Sequence, residues 1–590
     1  MSKFYFVTLL FFMTVHLSAK KPGQLLVEAE SFLNAGGWVI DQQFVEQMGS
    51  PYLLAHGMGK PVENAKTTVT FPSTGTYHVW VRTKNWAPGH WDAPGRFSLL
   101  VNGIKLETIL GTEEGWKWQY GGIVKIENKQ SILELQDITG FEGRCDAIYF
   151  STIKSEPPSE LNLLSEWRKK LLKEPANPKI TYQFDVVIVG GGIAGCAAAI
   201  AAAEQGLSVA VVHDRSVLGG NTSSEIRVHM EGISGYSHRI LSMINSSAWI
   251  NGSPNAKYDA AKRHKNIAKY TNITLFLNYR AYTAKNLHNT IVSVDARHTS
   301  TGETKRFKAP LFIDCTGDGW IGYWAGADYM YGREDSTKFQ EGWSKYGDLW
   351  NGSKSDNRVM GASILWRSKK GLTSSTFPKV PWAMDIAKSN SAINGTWEWE
   401  YSDNKYHQIE DAEQIRDHLL CAIYGSFYNA KQDTINNSTE LEWVGYLTGK
   451  RESRRLTGDY VYTFEDEKTG RKFPDGVLVE KRAVDVHFQQ NLTQKDKPDF
   501  LSEAMFYKTG NYYIPFRSLY SRNISNLLMA GRCFSCSHIG LGGPRVMNTT
   551  GQMGVAVGYA AFLCKKYKTN PRGVYKDHIE ELRKLIQVTD

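Results

Sequence analysis

The sequence predicts a multidomain protein in which an all-β domain precedes a larger α/β domain. The chain of 590 residues is too long for one compact core, so about two to four domains are expected. Residues 24–154 contain short strand-forming runs separated by turn sequences. Residues 184–206 instead contain an apolar strand pattern, a glycine-rich turn and an alanine-rich helix. The 42% of hydrophobic and 22% of charged residues are typical of a folded protein.

The first residues predict a signal peptide over residues 1–19. Lys3 supplies a positive charge, Phe4–Leu17 is apolar, and Leu17-Ser-Ala19 is a small-residue cleavage site. We therefore expect a periplasmic or secreted protein. No later run approaches the roughly 20 apolar residues of a spanning helix, so no membrane span is expected. The net charge of +9 is scattered along the chain, which argues against a nucleic acid partner.

Residues 24–154 are predicted to form a β-sandwich, because short alternating strands recur between turns. This region resembles a carbohydrate-binding module of the galactose-binding-like jelly-roll type at Val27–Ser31, Gly75–Arg82 and Cys145–Phe150. The resemblance implies a structural calcium ion, and the matching ligands are Glu28, Glu30 and Asp146. A salt-bridged surface is the alternative for these carboxylates. The loops also carry aromatic residues that suit sugar stacking or packing against a neighbouring domain: Trp86, His90, Trp91, Trp116 and Trp118.

The remaining domain boundaries follow from composition and from the position of the glycine-rich turn. Residues 155–183 are predicted to be a linker with a short helix over 161–173. A discontinuous dinucleotide-binding domain is predicted over residues 184–328 and 506–570. Residues 329–505 lack cofactor motifs and are predicted to form an inserted α+β substrate domain, followed at the end by a C-terminal helix over 571–590.

The glycine-rich turn predicts a dinucleotide site. Val186–Val189 has the pattern of a buried parallel strand, and Gly190, Gly192 and Gly195 then form G-x-G-x-x-G. The first glycine permits a tight turn, the second lets a pyrophosphate approach, and the third lets helix and strand pack closely. The amides of Ile193 and Ala194 begin the helix, where phosphate binds to N–H groups and the positive dipole end.

The strand after this helix should end in an acid that binds the ribose. His213 occupies the usual position and Asp214 follows it, so either Asp214 accepts from the ribose or His213 donates to it. The next residues, Arg215 and Gly219-Gly220-Asn221, resemble the flavin-binding loop of FAD-dependent oxidoreductases.

Two further segments favour FAD over NAD. Thr316-Gly317-Asp318 follows a strand, and Gly531-Arg532 precedes a predicted helix that starts around Gly551-Gln552-Met553. In this order, the segments resemble the glutathione-reductase-type FAD domain of an FAD-dependent oxidoreductase family of polysaccharide-degrading bacteria, sometimes labelled xanthan-lyase-like. The resemblance implies bound FAD and an inserted domain that caps its reactive face.

Several residues are candidates for catalysis. Glu225, Arg227 and His229 alternate with apolar residues in Ser223–Glu231, so on a strand they would face one side. A half-buried strand with a solvated polar face is the alternative. His538 lies between two predicted cofactor segments and is a candidate base. Arg545 is expected to bind the substrate or the cofactor.

Two tryptophans of the inserted domain and one pair of cysteines each have two possible interpretations. Trp397 and Trp399 are candidate sugar contacts, with buried aromatic packing as the alternative. Cys533 and Cys536 have the spacing of a redox-active disulfide, but two small buried residues are the preferred interpretation.

The sequence therefore predicts a secreted FAD-dependent oxidoreductase acting on a sugar or glycoside. Hydride would leave a carbinol carbon for flavin N5, and an external electron acceptor of unspecified identity would complete the cycle. Transient oxidation could also drive elimination of a glycosidic substituent. One alternative is a flavin-dependent reductase of a carboxylate substrate, like fumarate reductase relatives, favoured if Arg227, Arg454 and Arg545 converge. The other is a non-catalytic glycan-binding protein.

Overall fold

The computed structural model describes residues 22–181, 183–247, 249–488 and 498–589. The predicted signal peptide over residues 1–19 lies outside the described residues. Within them, none of the helices combines the length and the apolar character needed to cross a membrane.

The N-terminal domain consists of two packed sheets. Its elements are β1 (Gln24–Glu28), β2 (Val39–Asp41), α1 (Val45–Met48), β3 (Tyr52–Ala55), β4 (Ala65–Thr70), β5 (Gly75–Thr83), β6 (Phe97–Val101), β7 (Ile104–Lys105), β8 (Lys117–Ile126), β9 (Gln130–Asp137) and β10 (Gly143–Ser151). One sheet has the order β2-β3-β10-β5-β8, with β1 also paired to β10, and the other β4-β9-β6-β7. Alternating apolar residues of both sheets, including Val79, Leu99, Leu135 and Ile148, are buried between them.

The linker helix attaches to this domain. The helix predicted over residues 161–173 is confirmed as α2 (Leu161–Leu172), and the Glu160 carboxylate caps it by accepting from two amides of its first turn. Trp167 packs edge-on against Trp118 and Tyr149, with ring centroids 5.8 and 4.9 Å away. The helix therefore covers one outer face of the sandwich.

The α/β domain is built around a parallel sheet. Its elements are β11 (Lys179–Ile180), β12 (Val186–Val189), α3 (Ile193–Glu204), β13 (Val209–His213), α4 (His238–Ile244), α5 (Ala256–Ile267), β14 (Ile273–Leu277), β15 (Tyr279–Leu287), β16 (Thr290–His298), β17 (Thr304–Phe307), β18 (Leu311–Asp314) and α6 (Trp320–Ala325). The C-terminal part contributes β29 (Leu527–Met529), α10 (Met547–Tyr567), α11 (Pro571–Asp577) and α12 (Ile579–Ile586). The parallel sheet has the order β14-β13-β12-β18-β29, and β11-β17-β16-β15 form a second sheet.

Close helix packing holds the two halves of this domain together. A Cβ at Gly554 of α10 would lie 2.1 Å from the carbonyl oxygen of Ala194 in α3, and one at Gly558 would lie 2.6 Å from that of Ala198. Only glycine permits this approach, so the C-terminal helix docks directly on the helix after the glycine turn.

The inserted region contains short strand pairs around a long helix. Its elements are β19 (Tyr329–Met330), β20 (Ala362–Ser363), β21 (Trp366–Lys370), α7 (Pro381–Ala387), α8 (Ala412–Ala430), β22 (Thr439–Val444), β23 (Gly449–Lys450), β24 (Arg455–Leu456), α9 (Phe464–Thr469), β25 (Gly476–Glu480), β26 (Val484–Phe488), β27 (Glu503–Tyr507) and β28 (Tyr512–Pro515). Helix α8 packs on α7 and carries a core that includes Trp366, Trp382 and Phe427.

Three local predictions were wrong. Residues 223–231 form a turn and irregular chain instead of a strand, because the Arg227 amide bonds back to the Ser223 carbonyl and Arg227 has φ +60°. The last cofactor helix begins at Met547 and not around Gly551, since Val546 is its extended N-cap. The C-terminal segment contains two helices, because His578 at φ −135° separates α11 from α12.

Candidate active site

A cavity lies at the carboxyl ends of the parallel strands, around the glycine turn. Gly190 adopts φ +107°, and a Cβ there would lie 2.2 Å from the Cys315 carbonyl oxygen. Gly192 is the N-cap of α3 and faces open space, with Gly220 Cα 3.9 Å from its hypothetical Cβ. No side chain caps α3, so its first amides remain available to an anion.

Most predicted cofactor residues line this cavity. They are Gly190, Gly192, Ile193, Ala194, His213, Asp214, Arg215, Gly219, Gly220, Asn221, Thr316, Gly317, Asp318, Gly531 and Arg532. Gly195 does not line it, because its role is packing: a Cβ would lie 1.9 Å from the Gly190 carbonyl oxygen. Other parts of the chain also contribute to the lining, notably Lys450, Arg280 and residues 42–47.

His213 and Asp214 differ in what they can offer a ribose. His213 Nδ1 accepts from the Gly191 amide and Nε2 donates to the Val217 carbonyl, both at 3.0 Å. Burial lowers the pKa of His213 to about 4, so the ring is neutral and fully engaged. Asp214 lies on the cavity, 3.5 Å from Arg280. The geometry favours Asp214 over His213 as the ribose ligand.

Asp318 anchors two cations on the opposite wall. Its carboxylate lies 2.8 Å from Lys450 Nζ and 3.3 Å from Arg532 Nη2, and Ser453 Oγ donates to it. Although burial favours the protonated form, these two cations hold the pKa of Asp318 well below its usual range. Asp318 therefore orients basic side chains and is not itself a proton donor.

The predicted residues on α10 lie outside the cavity lining. Gly551 packs against Leu241 and Ile193, Met553 is in the core, and the Gln552 amide bonds to the Ile233 and Val479 carbonyls at 2.9 Å. Because the helix starts earlier than expected, Met547 and Thr550 occupy the cavity wall instead.

Glu225, Arg227 and His229 do not share one face. Glu225 pairs with Arg215 at 3.1 Å, whereas the Arg227 guanidinium lies 4.2 Å from the Trp443 ring centroid. His229 places Nδ1 2.7 Å from Asn251 Oδ1 and Nε2 3.2 Å from Glu231. The Glu231 contact is the largest cause that raises the pKa of His229, so both ring nitrogens act as donors.

Arg545 lines the cavity and joins a polar network that the sequence did not predict. It pairs with Asp485 at 2.9 Å, and Asp485 also contacts Arg482 at 2.8 Å and His487 at 3.2 Å. His487 in turn contacts Glu400 at 2.5 Å. The alternation of Asp485 and His487 along β26 was the available signal, since both lie on one side of a strand.

His538 forms a buried dyad. Its Nδ1 lies 2.8 Å from Glu452 Oε2, and its backbone amide donates to Glu334. Arg455 contacts both glutamates and is fully buried. Among the described residues, none hydrogen-bonds to His538 Nε2. His538 is absent from the cavity lining, although the same connection between β29 and α10 brings Arg545 to it.

The two predicted sugar-contact tryptophans have different environments. Trp397 is 40% exposed and packs edge-on against His487 with ring centroids 5.2 Å apart. Trp399 is 3% exposed and packs between Trp366 and Phe500. Only Trp397 is therefore positioned to stack on a ligand.

The cysteine pair is structural in this conformation. Cys533 and Cys536 are both buried free thiols, and burial raises the pKa of each well above its usual value. A buried thiol with a raised pKa is a poor nucleophile, which supports the preferred interpretation of two small buried residues.

The predicted calcium ligands lie together. One carboxylate oxygen from each of Glu28, Glu30 and Asp146 falls within 4.8 Å of the others. Arg168 enters this cluster and pairs with Asp146, which also contacts Arg82 at 2.7 Å. Burial raises the pKa of Glu28 to about 7. Calcium binding remains a prediction, and the ion would have to displace Arg168.

We expect calcium to raise the unfolding temperature by about 3–6 °C, because it binds only the folded cluster. Thermal unfolding of the full chain, with calcium and after chelation, measures this. The Glu28→Gln variant should lose the response. An unchanged unfolding temperature in the unaltered protein would assign the cluster to ion pairing with Arg168 alone.

The fold and the glycine cradle define a dinucleotide-binding protein of the α/β type. The chain belongs to the FAD dependent oxidoreductase family, which it matches over residues 185–586. A segment of 59 residues is 44% identical to urocanate reductase from Eggerthella lenta. That match spans 10% of this chain and 10% of the relative.

Solved structures with partial likeness include a geranylgeranyl bacteriochlorophyll reductase-like protein from Thermoplasma acidophilum, at 13% identity and TM-score 0.33 over 70% of this chain and 84% of that chain. E. coli quinol fumarate reductase is 11% identical with a TM-score of 0.27, over 68% of this chain and 74% of that chain. A family 35 carbohydrate binding module from Clostridium thermocellum is 17% identical with a TM-score of 0.18, over 22% of this chain and 96% of that chain. These scores do not distinguish among substrates.

The residues present fit FAD. The glycine cradle leaves room for a pyrophosphate, and Asp214 lies where a ribose is bound in this fold. The buried Nε atoms of Arg532 and Arg545, which both line the cavity, have no hydrogen-bond partner among the described residues. Such unsatisfied donors are expected where a ligand completes the site.

Proposed function

We propose that this oxidoreductase removes hydride from a carbinol carbon of a sugar or glycoside. The observation that carries the proposal concerns three arginines, Arg227, Arg454 and Arg545. A site for a carboxylate substrate would require them to converge, but each has a separate partner in the protein. Arg227 lies over Trp443, Arg454 lies 3.9 Å from the Tyr323 ring centroid, and Arg545 pairs with Asp485. Arg227 and Arg454 contact aromatic rings and Arg545 contacts a carboxylate, so their contacts do not join the three into one cluster, and we therefore propose an uncharged, hydroxyl-rich substrate over an anion.

Among His229, His487 and His538, His538 is our candidate base, because no described residue hydrogen-bonds to its Nε2. The ring nitrogens of His229 and His487 all lie against acceptor atoms of the protein, so neither ring has a free nitrogen for a substrate. The Glu452 carboxylate holds the Nδ1 proton of His538 and leaves Nε2 as the basic atom. In this proposal, Nε2 takes the hydroxyl proton as the carbinol carbon loses hydride.

FAD, when bound, supplies the hydride acceptor. In this proposal, Glu452 fixes the tautomer of His538, and Trp397, which is 40% exposed, offers a ring to the sugar. Arg451 bonds to the Trp397 carbonyl at 2.7 Å and so holds that part of the chain in place. The oxidation balances because the carbinol gives up its hydroxyl proton to His538 and its carbon-bound hydrogen as hydride, which carries the two electrons, to the acceptor that FAD would supply.

The proposal also includes a cellular location and a role in polysaccharide degradation. The predicted signal peptide over residues 1–19 would place the enzyme in the periplasm or outside the cell. The jelly-roll, carbohydrate-module and xanthan-lyase-like resemblances would connect it with polysaccharide degradation. A carbonyl group formed in the sugar acidifies the neighbouring C–H, so elimination of a glycosidic substituent followed by re-reduction is a possible extension.

Anaerobic mixing of the FAD-loaded protein with a panel of glycosides tests the proposal. We expect the visible flavin absorbance to bleach with at least one glycoside. The opposite half-reaction is the control, in which the chemically reduced protein is mixed with fumarate or urocanate. Bleaching by none of the glycosides, together with rapid reoxidation by an unsaturated acid, would overturn the proposal.

Two observations favour a reductase of an unsaturated carboxylate as the second candidate. One is the 59-residue match to urocanate reductase. The other is Arg545, a guanidinium of the type that binds carboxylates, which lines the cavity. The two half-reactions described above separate this candidate from the first.

A further inference from the structure

The segment from Gln42 to Gln47, between β2 and β3 of the sandwich, reaches the cofactor cavity of the α/β domain. Gln42, Gln43, Phe44, Glu46 and Gln47 line the same cavity as the glycine turn and Asp214. We call residues 42–47 the sandwich strap. A detached carbohydrate module would leave this position to solvent.

Buried ion pairs hold the sandwich against the inserted region. Arg416 lies 2.9 Å from Asp41, and both side chains are fully buried. Arg144 of β10, also fully buried, pairs with Glu413 at 2.7 Å and with Asp417. Asp41 and Arg144 belong to the sandwich and Arg416, Glu413 and Asp417 to α8, so all of these pairs cross the boundary between the two domains. The strap is therefore fixed next to the cavity.

Two of the predicted sugar-stacking rings of the sandwich, Trp86 and Trp116, are used in this interface. Trp86 is 4% exposed and packs against Trp382 with centroids 5.0 Å apart, and Trp116 donates to Glu413. This end of the sandwich thus faces the rest of the chain and not an external glycan.

Contacts of the strap place it at the adenosine end of the cavity. Glu46 pairs with Arg280 at 2.5 Å, and Arg280 lies 3.5 Å from Asp214, the acid at the end of β13. The acid at that position binds the adenosine ribose in this fold. The strap therefore borders the ribose position through Arg280.

One polar atom of the strap lacks a partner. The Gln47 amide nitrogen donates to the Ile409 and Glu410 carbonyls, which fixes the side chain. Its Oε1 is buried and has no hydrogen-bond partner among the described residues. A buried acceptor is costly when unsatisfied, and here it belongs to a side chain that lines the cavity.

We propose that the sandwich strap is part of the FAD site and that Gln47 Oε1 accepts a hydrogen bond from the adenosine half of the cofactor. The sandwich is then an integral wall of the cofactor site. This proposal depends on FAD binding and not on the identity of the substrate.

Titration of full-length apo-protein with FAD tests the proposal. The Gln47→Leu variant should weaken FAD binding about tenfold, and Glu46→Gln should weaken it less by loosening Arg280. Gln130→Leu is the matched control, because Gln130 is exposed on β9, away from the cavity. The unfolding temperature of each apo-protein is measured alongside.

The expected result is FAD binding weakened by more than the loss of apo-protein stability accounts for, because Gln47→Leu also removes the bonds to the Ile409 and Glu410 carbonyls. FAD affinities of both strap variants equal to that of Gln130→Leu would overturn the proposal. An equal fall in FAD affinity and in apo-protein stability would also overturn it, since the strap would then act only on folding. Because no substrate is present, this outcome is independent of the sugar-oxidation test.

Discussion

Gly192→Val is expected to abolish FAD binding while leaving the fold intact. A Cβ at this position would meet no protein atom closer than 3.9 Å and φ is −68°, so the backbone accepts a side chain here. The added methyl groups would occupy the space through which a pyrophosphate approaches α3. We expect the dissociation constant of FAD to rise at least about 100-fold, equivalent to about 3 kcal/mol.

The measurement is flavin content after purification, followed by FAD titration. Gly510→Val is the control, because Gly510 is also an open glycine, exposed and remote from the cavity. Retention of normal flavin content by Gly192→Val would mean that the cofactor does not cross the glycine turn.

His538→Gln is expected to slow flavin reduction by a glycoside about 10²–10⁴-fold. The glutamine amide can still donate to Glu452, so the buried carboxylate keeps a partner and the protein should fold. FAD affinity should not change, because His538 does not line the cofactor cavity. Anaerobic stopped-flow absorbance gives the rate.

His264→Gln controls for the substitution itself, since His264 is an exposed histidine of α5 that does not line the cavity. A reduction rate for His538→Gln equal to that of the control would remove His538 from the reaction. The hydroxyl proton would then have to pass to a group other than these histidines, since the ring nitrogens of His229 and His487 are engaged.

The parts of the fold encoded by neighbouring residues could be predicted from the sequence. The apolar run of β12, the glycines after it and the alanine-rich α3 act within one continuous segment. The same holds for the capped linker helix. Most of the predicted cofactor residues therefore line one cavity.

Residues brought together from distant parts of the chain could not be predicted. Gln43 bonds to the Tyr446 carbonyl across 403 positions, and Lys450 reaches Asp318 from the inserted region. Neither lies in a motif, so tertiary packing alone places them. The polar alternation at residues 223–231 predicted a strand for a segment that forms a turn and irregular chain. Its side chains bind partners from separate parts of the chain, which the local pattern does not show.

A single-turnover reaction of the FAD-loaded protein with a glycoside, under anaerobic conditions, tests the central claim most directly. The flavin absorbance and the mass of the sugar are followed together. Sugar oxidation predicts one sugar carbonyl, formed by loss of two hydrogens, for each flavin reduced. A flavin that stays oxidised with every glycoside, but is reoxidised by an unsaturated carboxylate after chemical reduction, would contradict it.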